Sequence, residues 1–173
     1  MKKYTFLISI VLLLSSCVTL QLKGNYPSPN QFTESSKSFE DVWTKTIDFF
    51  AISGIPITTI DKSSGIIIAS KMSFVNNYTR EGKDKLPIDK TAFVVIPTVR
   101  GGFGNVLEPK SPITGEWRMD GDWNVRIKTV GNKTVVNVNL LNIQCFYKAG
   151  FSSTMIPIKS TGVFEKQIIE MIK

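Results

Sequence analysis

Residues 116–147 read EWRMDGDWNVRIKTVGNKTVVNVNLLNIQCFY, and their alternation decides the fold. The odd positions are Trp117, Met119, Gly121, Trp123, Val125 and Ile127; the even ones are Arg118, Asp120, Asp122, Asn124, Arg126 and Lys128. A period of two with one apolar and one polar side predicts an antiparallel strand with one wet face. Gly131-Asn132 is a two-residue turn signal, which pairs Val130 with Lys133. Ile127 then faces Val136, Val125 faces Val138 and Trp123 faces Leu140. On the other side Arg126 meets Asn137 and Asn124 meets Asn139. A one-residue slip would turn every side chain over, so agreement on both faces specifies the register. Beyond Leu140 the apolar positions shift to Leu141, Ile143 and Cys145. One extra residue near Leu140–Asn142 restores the alternation, which predicts a β-bulge there. The alternative is that the outer face also becomes buried.

Upstream of the hairpin, Ser38 with Asp41 three positions on reads as a helix start close to a capping box. Phe39, Val42, Trp43, Ile47 and Phe50 follow at helical spacing, and Gly54 with Pro56 stops the run. The spacing predicts a helix over 38–53. Residues 55–72 read as a strand hairpin around Asp61-Lys-Ser-Ser-Gly65. Residues 75–90 read as a solvated loop, and Ala92 to Val99 as a strand whose Pro97 places its far end at an edge or bulge. Residues 100–115 form a second, glycine-rich loop. Thr154 to Ile158 is a last short strand. Ser160-Thr161-Gly162 opens a closing helix, with Phe164, Ile168, Met171 and Ile172 inward and Glu165 in the first turn, where the dipole favours an acid. The expectation is an α+β fold of two layers, with both helices on one face of an antiparallel sheet of about five to six strands.

The first residues are of another kind. Lys2 and Lys3 precede a short apolar run from Phe6 to Leu14, then Ser15, Ser16 and Cys17. This is a secretory signal, and it is too short to span a bilayer, which takes about 20 apolar residues. Leu14-Ser15-Ser16-Cys17 resembles the lipobox of bacterial lipoproteins. That resemblance implies cleavage before Cys17 and acylation of Cys17, and several acyl chains give stable anchoring where one is marginal. The organisation is therefore a signal peptide at 1–16, a lipidated tether at 17–37 and an α+β domain at 38–173. Residues 18–37 lack any period, and as flexible coil they would reach about 25 Å. Val18 occupies the position where an aspartate would signal inner-membrane retention, so outer membrane is the expected destination over inner.

The 173 residues carry a formal charge of +7, no histidine and two cysteines. Absence of histidine removes His-based triads and His-ligated metals, and Cys17 with Cys145 cannot build a Cys₃ or Cys₄ zinc site. No catalytic residue, metal or cofactor is expected. Cys145 reads as a buried, inert thiol. The lysines are scattered, grouping only at Lys83, Lys85 and Lys90, and no nucleic-acid motif accompanies them. The partners expected are the membrane, through the lipid, and an envelope protein, with no nucleic acid; any small-molecule ligand is left open. Trp117 and Trp123 share the side of Val125 and Ile127 and read as core.

The candidate binding residues are Arg118, Asn124, Arg126 and Lys128 on the wet strand face, and Arg100 and Phe103 in the Arg100-Gly-Gly-Phe-Gly104 loop. That loop lacks the ending of a phosphate loop and reads first as a flexible connection. Asp120 and Asp122 lie two residues apart on one strand face, about 6.6 Å along it. Paired carboxylates can hydrolyse glycosides, but surface acids near Arg118 and Arg126 lack the burial that separates their pKa values. Three readings follow: a non-catalytic envelope binding or scaffold module, an envelope glycan hydrolase using Asp120 and Asp122, and a structural subunit of a surface assembly.

Ser38-Phe-Glu-Asp-Val-Trp43, Gly65-Ile-Ile-Ile-Ala69 and Ser160-Thr-Gly-Val-Phe-Glu165 resemble the helix-grip module of the BamC lipoproteins of outer-membrane-protein assembly. The resemblance spans about 38–173 in outline and covers one such module. It implies an opening helix, a strand pair and a closing helix, and it carries no catalytic residues.

Overall fold

The computed structural model describes residues 20–26, 31–100, 106–107 and 115–173. The elements are β1 (Gln31–Ser35), α1 (Phe39–Ile52), β2 (Thr59–Asp61), β3 (Ile66–Ser73), β4 (Tyr78–Arg80), β5 (Val94–Ile96), β6 (Glu116–Val130), β7 (Lys133–Ala149), β8 (Ser152–Met155), β9 (Lys159–Ser160) and α2 (Val163–Ile172). A six-stranded antiparallel sheet runs β1-β7-β6-β3-β2, and β8 joins the same edge of β7 as β1, farther along it. A second sheet of three strands runs β4-β5-β9.

The long hairpin has the predicted register, including Val130 opposite Lys133, Ile127 opposite Val136 and Trp123 opposite Leu140. The bulge is also where the alternation places it. Asp122 pairs with Leu141 and Asp120 with Gln144, so Gly121 alone opposes Asn142 and Ile143, and Asn142 takes φ 50°. A second bulge falls beside it on β3, between Ala69 and Met72, where Lys71 takes φ 55°. Leu141 differs from expectation: it lies on the outer side of the bulge and is 41% exposed, while Cys145 returns to the core.

Helix α1 is capped as its sequence dictates. The Ser38 hydroxyl accepts from the Asp41 N–H, the capping-box geometry. At the other end Gly54 and Ile55 donate to the carbonyls of Ala51 and Phe50, a Schellman closure. Both helices pack on the inner face of the large sheet and on each other. Phe164 of α2 is the hub. It stacks on Trp123 at 3.8 Å between ring centroids and meets Phe49, Phe50 and Phe93 edge-on. Trp117 and Trp123 are both buried, as core residues. Cys145 is buried too, and burial pushes its thiol up to about 12, where it is inert.

Gly65 is irreplaceable where the β2–β3 hairpin meets β6. It takes φ 70°, and a Cβ there would lie 1.8 Å from the Ile127 carbonyl oxygen. Its own carbonyl accepts from the Ile127 N–H at 2.8 Å.

Four expectations are corrected. Residues 31–35, read as part of the tether, form strand β1 against β7, and the Ser35 hydroxyl donates to the Ile172 carbonyl at 2.8 Å. The alternation in Gln31–Ser35 is too short to stand out beside the prolines and asparagines before it. Residues 75–90, read as a solvated loop, contain β4, which pairs parallel with β5. Their polar side chains bond to backbone: Asn77 accepts from the Phe93 N–H, and Thr79 from the Asp89 N–H. The 92–99 run shortens to Val94–Ile96 at the centre of the small sheet, ending immediately before Pro97, so the proline marks an end and not an edge. The single strand expected at 154–158 is not formed: β8 ends at Met155 and β9 begins at Lys159, on either side of Pro157, which has no N–H to give a ladder.

Glu165 is in the first turn of α2, as expected, but it is 1% exposed. Ser160 donates its hydroxyl to Glu165 Oε1 at 2.7 Å, while Oε2 is buried without a partner among the described residues. Burial raises its pKa against the lowering effect of the Ser160 hydrogen bond.

Candidate functional site

The pleat puts alternate residues of β6 on the face away from the helices. Cross-strand pairing then lines up rows over that face. One row runs Phe32, Asn137, Arg126, Ile66 across β1, β7, β6 and β3. The next holds Glu34, Val135 and Lys128, and the row on the other side begins with Asn139 and Asn124. These rows line a groove of about 640 Å³ on the outer face of the large sheet.

Three of the expected binding residues, Asn124, Arg126 and Lys128, therefore share one groove. Arg126 and Lys128 have no ion-pair partner among the described residues. Glu34 also lines the groove but is ion-paired with Lys133. The Asn139 amide donates to the Asn137 side-chain oxygen, which orders two of the amides on the floor. Phe32 is 71% exposed and supplies an apolar wall, with Ile66 and Val135. The groove thus offers two cations, a row of amides and apolar surface. That chemistry is suited to acidic groups flanked by apolar side chains. Sequence reasoning missed Phe32, because β1 was placed in the tether.

Arg118 stands apart from this groove. It ion-pairs with Asp120, whose other oxygen accepts from the Gln144 amide at 2.6 Å. Asp120 is 8% exposed, so its expected place on a wet face is corrected: Arg118 and Gln144 cover it. Asp122 is equally committed. Oδ1 accepts from the Lys71 N–H at 2.8 Å and Oδ2 from the Asn142 amide at 2.7 Å. Lys71 and Asn142 are the two positive-φ residues of the flanking bulges, so one carboxylate clamps both. Neither acid lines the groove.

Arg100 is exposed and forms an isolated bridge with Val106. Phe103 lies outside the described residues, as does Cys17. No group of three or more His, Cys, Asp or Glu that could hold a metal occurs among the described residues, and none of their helices is long and apolar enough to cross a membrane.

Residues 1–17 match the family of prokaryotic membrane lipoprotein lipid attachment sites, ending on Cys17. The chain is a membrane-anchored bacterial envelope lipoprotein. No curated protein matches the chain. The match covers the anchor segment.

Proposed function

We propose that this lipoprotein is a non-catalytic binding module, held at the membrane through Cys17, that receives an envelope protein on the outer face of its large sheet. The observation that carries the reading is the convergence of Asn124, Arg126 and Lys128 with exposed Phe32 in one groove, with no ion-pair partner for either cation among the described residues. The partner surface that fits is acidic with apolar side chains. The commitment of Asp120 and Asp122 to internal hydrogen bonds favours this reading over glycan hydrolysis. The outer membrane is the proposed location, on the ground that Val18 follows the acylated cysteine. The likeness of the opening and closing helices to a BamC-type module agrees with a scaffold role without chemistry.

The test is cross-linking of the acylated protein in its native envelope, with partners identified by mass spectrometry. Arg126→Glu with Lys128→Glu should abolish capture of a defined protein partner. Unchanged capture by this double variant would remove the groove from the function.

A further inference from the structure

The chain before β1 is strapped to the folded region. Lys23 and Gly24 donate their backbone N–H groups to the Glu81 carboxylate at 2.9 and 2.6 Å, and Tyr26 donates its hydroxyl at 2.9 Å. Gly24 lies so close to the 81–90 loop that a Cβ would sit 2.3 Å from the Lys85 carbonyl oxygen. Tyr26 is buried, and Leu20 packs against the core cluster. Burial pulls the Glu81 carboxyl upward, but the two amides and the Tyr26 hydroxyl outweigh it and hold the group below the usual carboxylate range.

The strap sets a distance. Cys17 precedes Leu20 by three residues, so the lipidated residue is within about 11 Å of a side chain packed on the core. A free coil of twenty residues would have allowed about 25 Å and any orientation. The loop beside the strap has a matching composition. Leu86 and Ile88 are 53% and 62% exposed, and Lys83, Lys85 and Lys90 are exposed around them, as is Lys23 on the strap itself. The loop also carries three acids, each with a local bond: Asp84 accepts from the Leu86 N–H, Asp89 from the Thr91 N–H and Glu81 from the strap, so with Lys23 the face sets four lysines against three carboxylates.

We propose that the strap and the 81–90 loop form a membrane-contact face, on which the folded region sits against an anionic bilayer surface. Leu86 and Ile88 enter the headgroup layer, and Lys23, Lys83, Lys85 and Lys90 meet lipid phosphates. Each lysine adds a modest attraction that salt weakens. The strap turns this weak surface into a fixed one, because the lipid holds it at the bilayer. This inference rests on the lipid attachment site and not on the groove.

The test uses the full acylated chain in phosphatidylcholine–phosphatidylglycerol vesicles, with Leu86→Cys carrying a polarity-sensitive fluorophore. Labelling is confined to position 86, since Cys17 is acylated and Cys145 is buried. Lipids bearing a doxyl quencher near the headgroup should quench the probe at least about twofold, an effect that falls as salt rises. Replacing Lys83, Lys85 and Lys90 with Glu, or releasing the strap with Glu81→Ala, should return the probe to its unquenched signal. All variants should still float with the vesicles through Cys17, with unchanged circular dichroism. A probe that is unquenched in the parent protein, or quenched equally in the lysine variant, overturns the proposal.

Discussion

The two sheets are held together by different means. The large sheet is built mostly from chain neighbours: β2 with β3, β6 with β7, and β7 with β8. Its central ladders, β7 with β6 and β6 with β3, are long and its inner face is apolar. The small sheet pairs β4 with the next strand, β5, in parallel and without a tight turn, adds β9 from near the end of the chain, and its longest strands have three residues. It relies on side chains bonding to backbone or to each other: Asn77 and Thr79 with the 89–93 segment, and Ser160 with Glu165. Local pairing needs little more than pattern and a turn. Short strands joined without a tight turn need named polar partners, because so few ladder bonds are available.

Trp123→Ala should have the largest effect. Trp123 touches Phe164 and Phe93, which join the large sheet to α2 and to the segment entering β5. The loss expected is about 4 kcal/mol. Urea denaturation followed by two probes, one per sheet, should show a single shifted transition. Two separate transitions would mean that the sheets unfold independently.

Asp122→Ala comes next and belongs to the large sheet alone. It frees the Lys71 N–H and the Asn142 amide at the two bulges, with an expected cost of about 2 kcal/mol. Hydrogen exchange should rise at the Lys71 N–H and the Asn142 side-chain amide while the small sheet keeps its protection. Uniform loosening would show that the clamp supports both sheets.

Glu165→Gln should have the smallest effect, and it belongs to the small sheet and α2. Burial favours the protonated acid in the folded state, so the native protein binds more protons than the unfolded chain above the ordinary carboxylate pKa. Stability from this group is present in acid and declines as pH rises from the unfolded towards the folded pKa. The glutamine variant should lose this decline and be about 1 kcal/mol more stable than the parent at neutral pH. Thermal melts at pH 4 and pH 7 would check it; an unchanged pH slope would assign the dependence elsewhere.

The same contrast governs how much could be read in advance. The hairpin register, the bulge at Asn142 and both helices were legible, since each depends on residues close in sequence. Asn124, Arg126 and Lys128 were legible as one face for the same reason. Phe32 was not, because the face it joins belongs to a strand about a hundred residues away. Nor was the union of Tyr26 with Glu81, which are 55 residues apart. Glu165 could be placed in its turn, but its burial depends on packing that no local pattern encodes.

The strap also determines how the molecule carries load. Tension applied through the lipid enters the fold at Leu20 and reaches Glu81 before it reaches β1. Three contacts on one carboxylate yield first, and the ladder of β1 with β7 holds behind them. A pulling experiment through residue 17 should record a small early release, sensitive to Glu81→Ala, ahead of the main rupture. The carboxylate that holds the strap is then also a mechanical fuse.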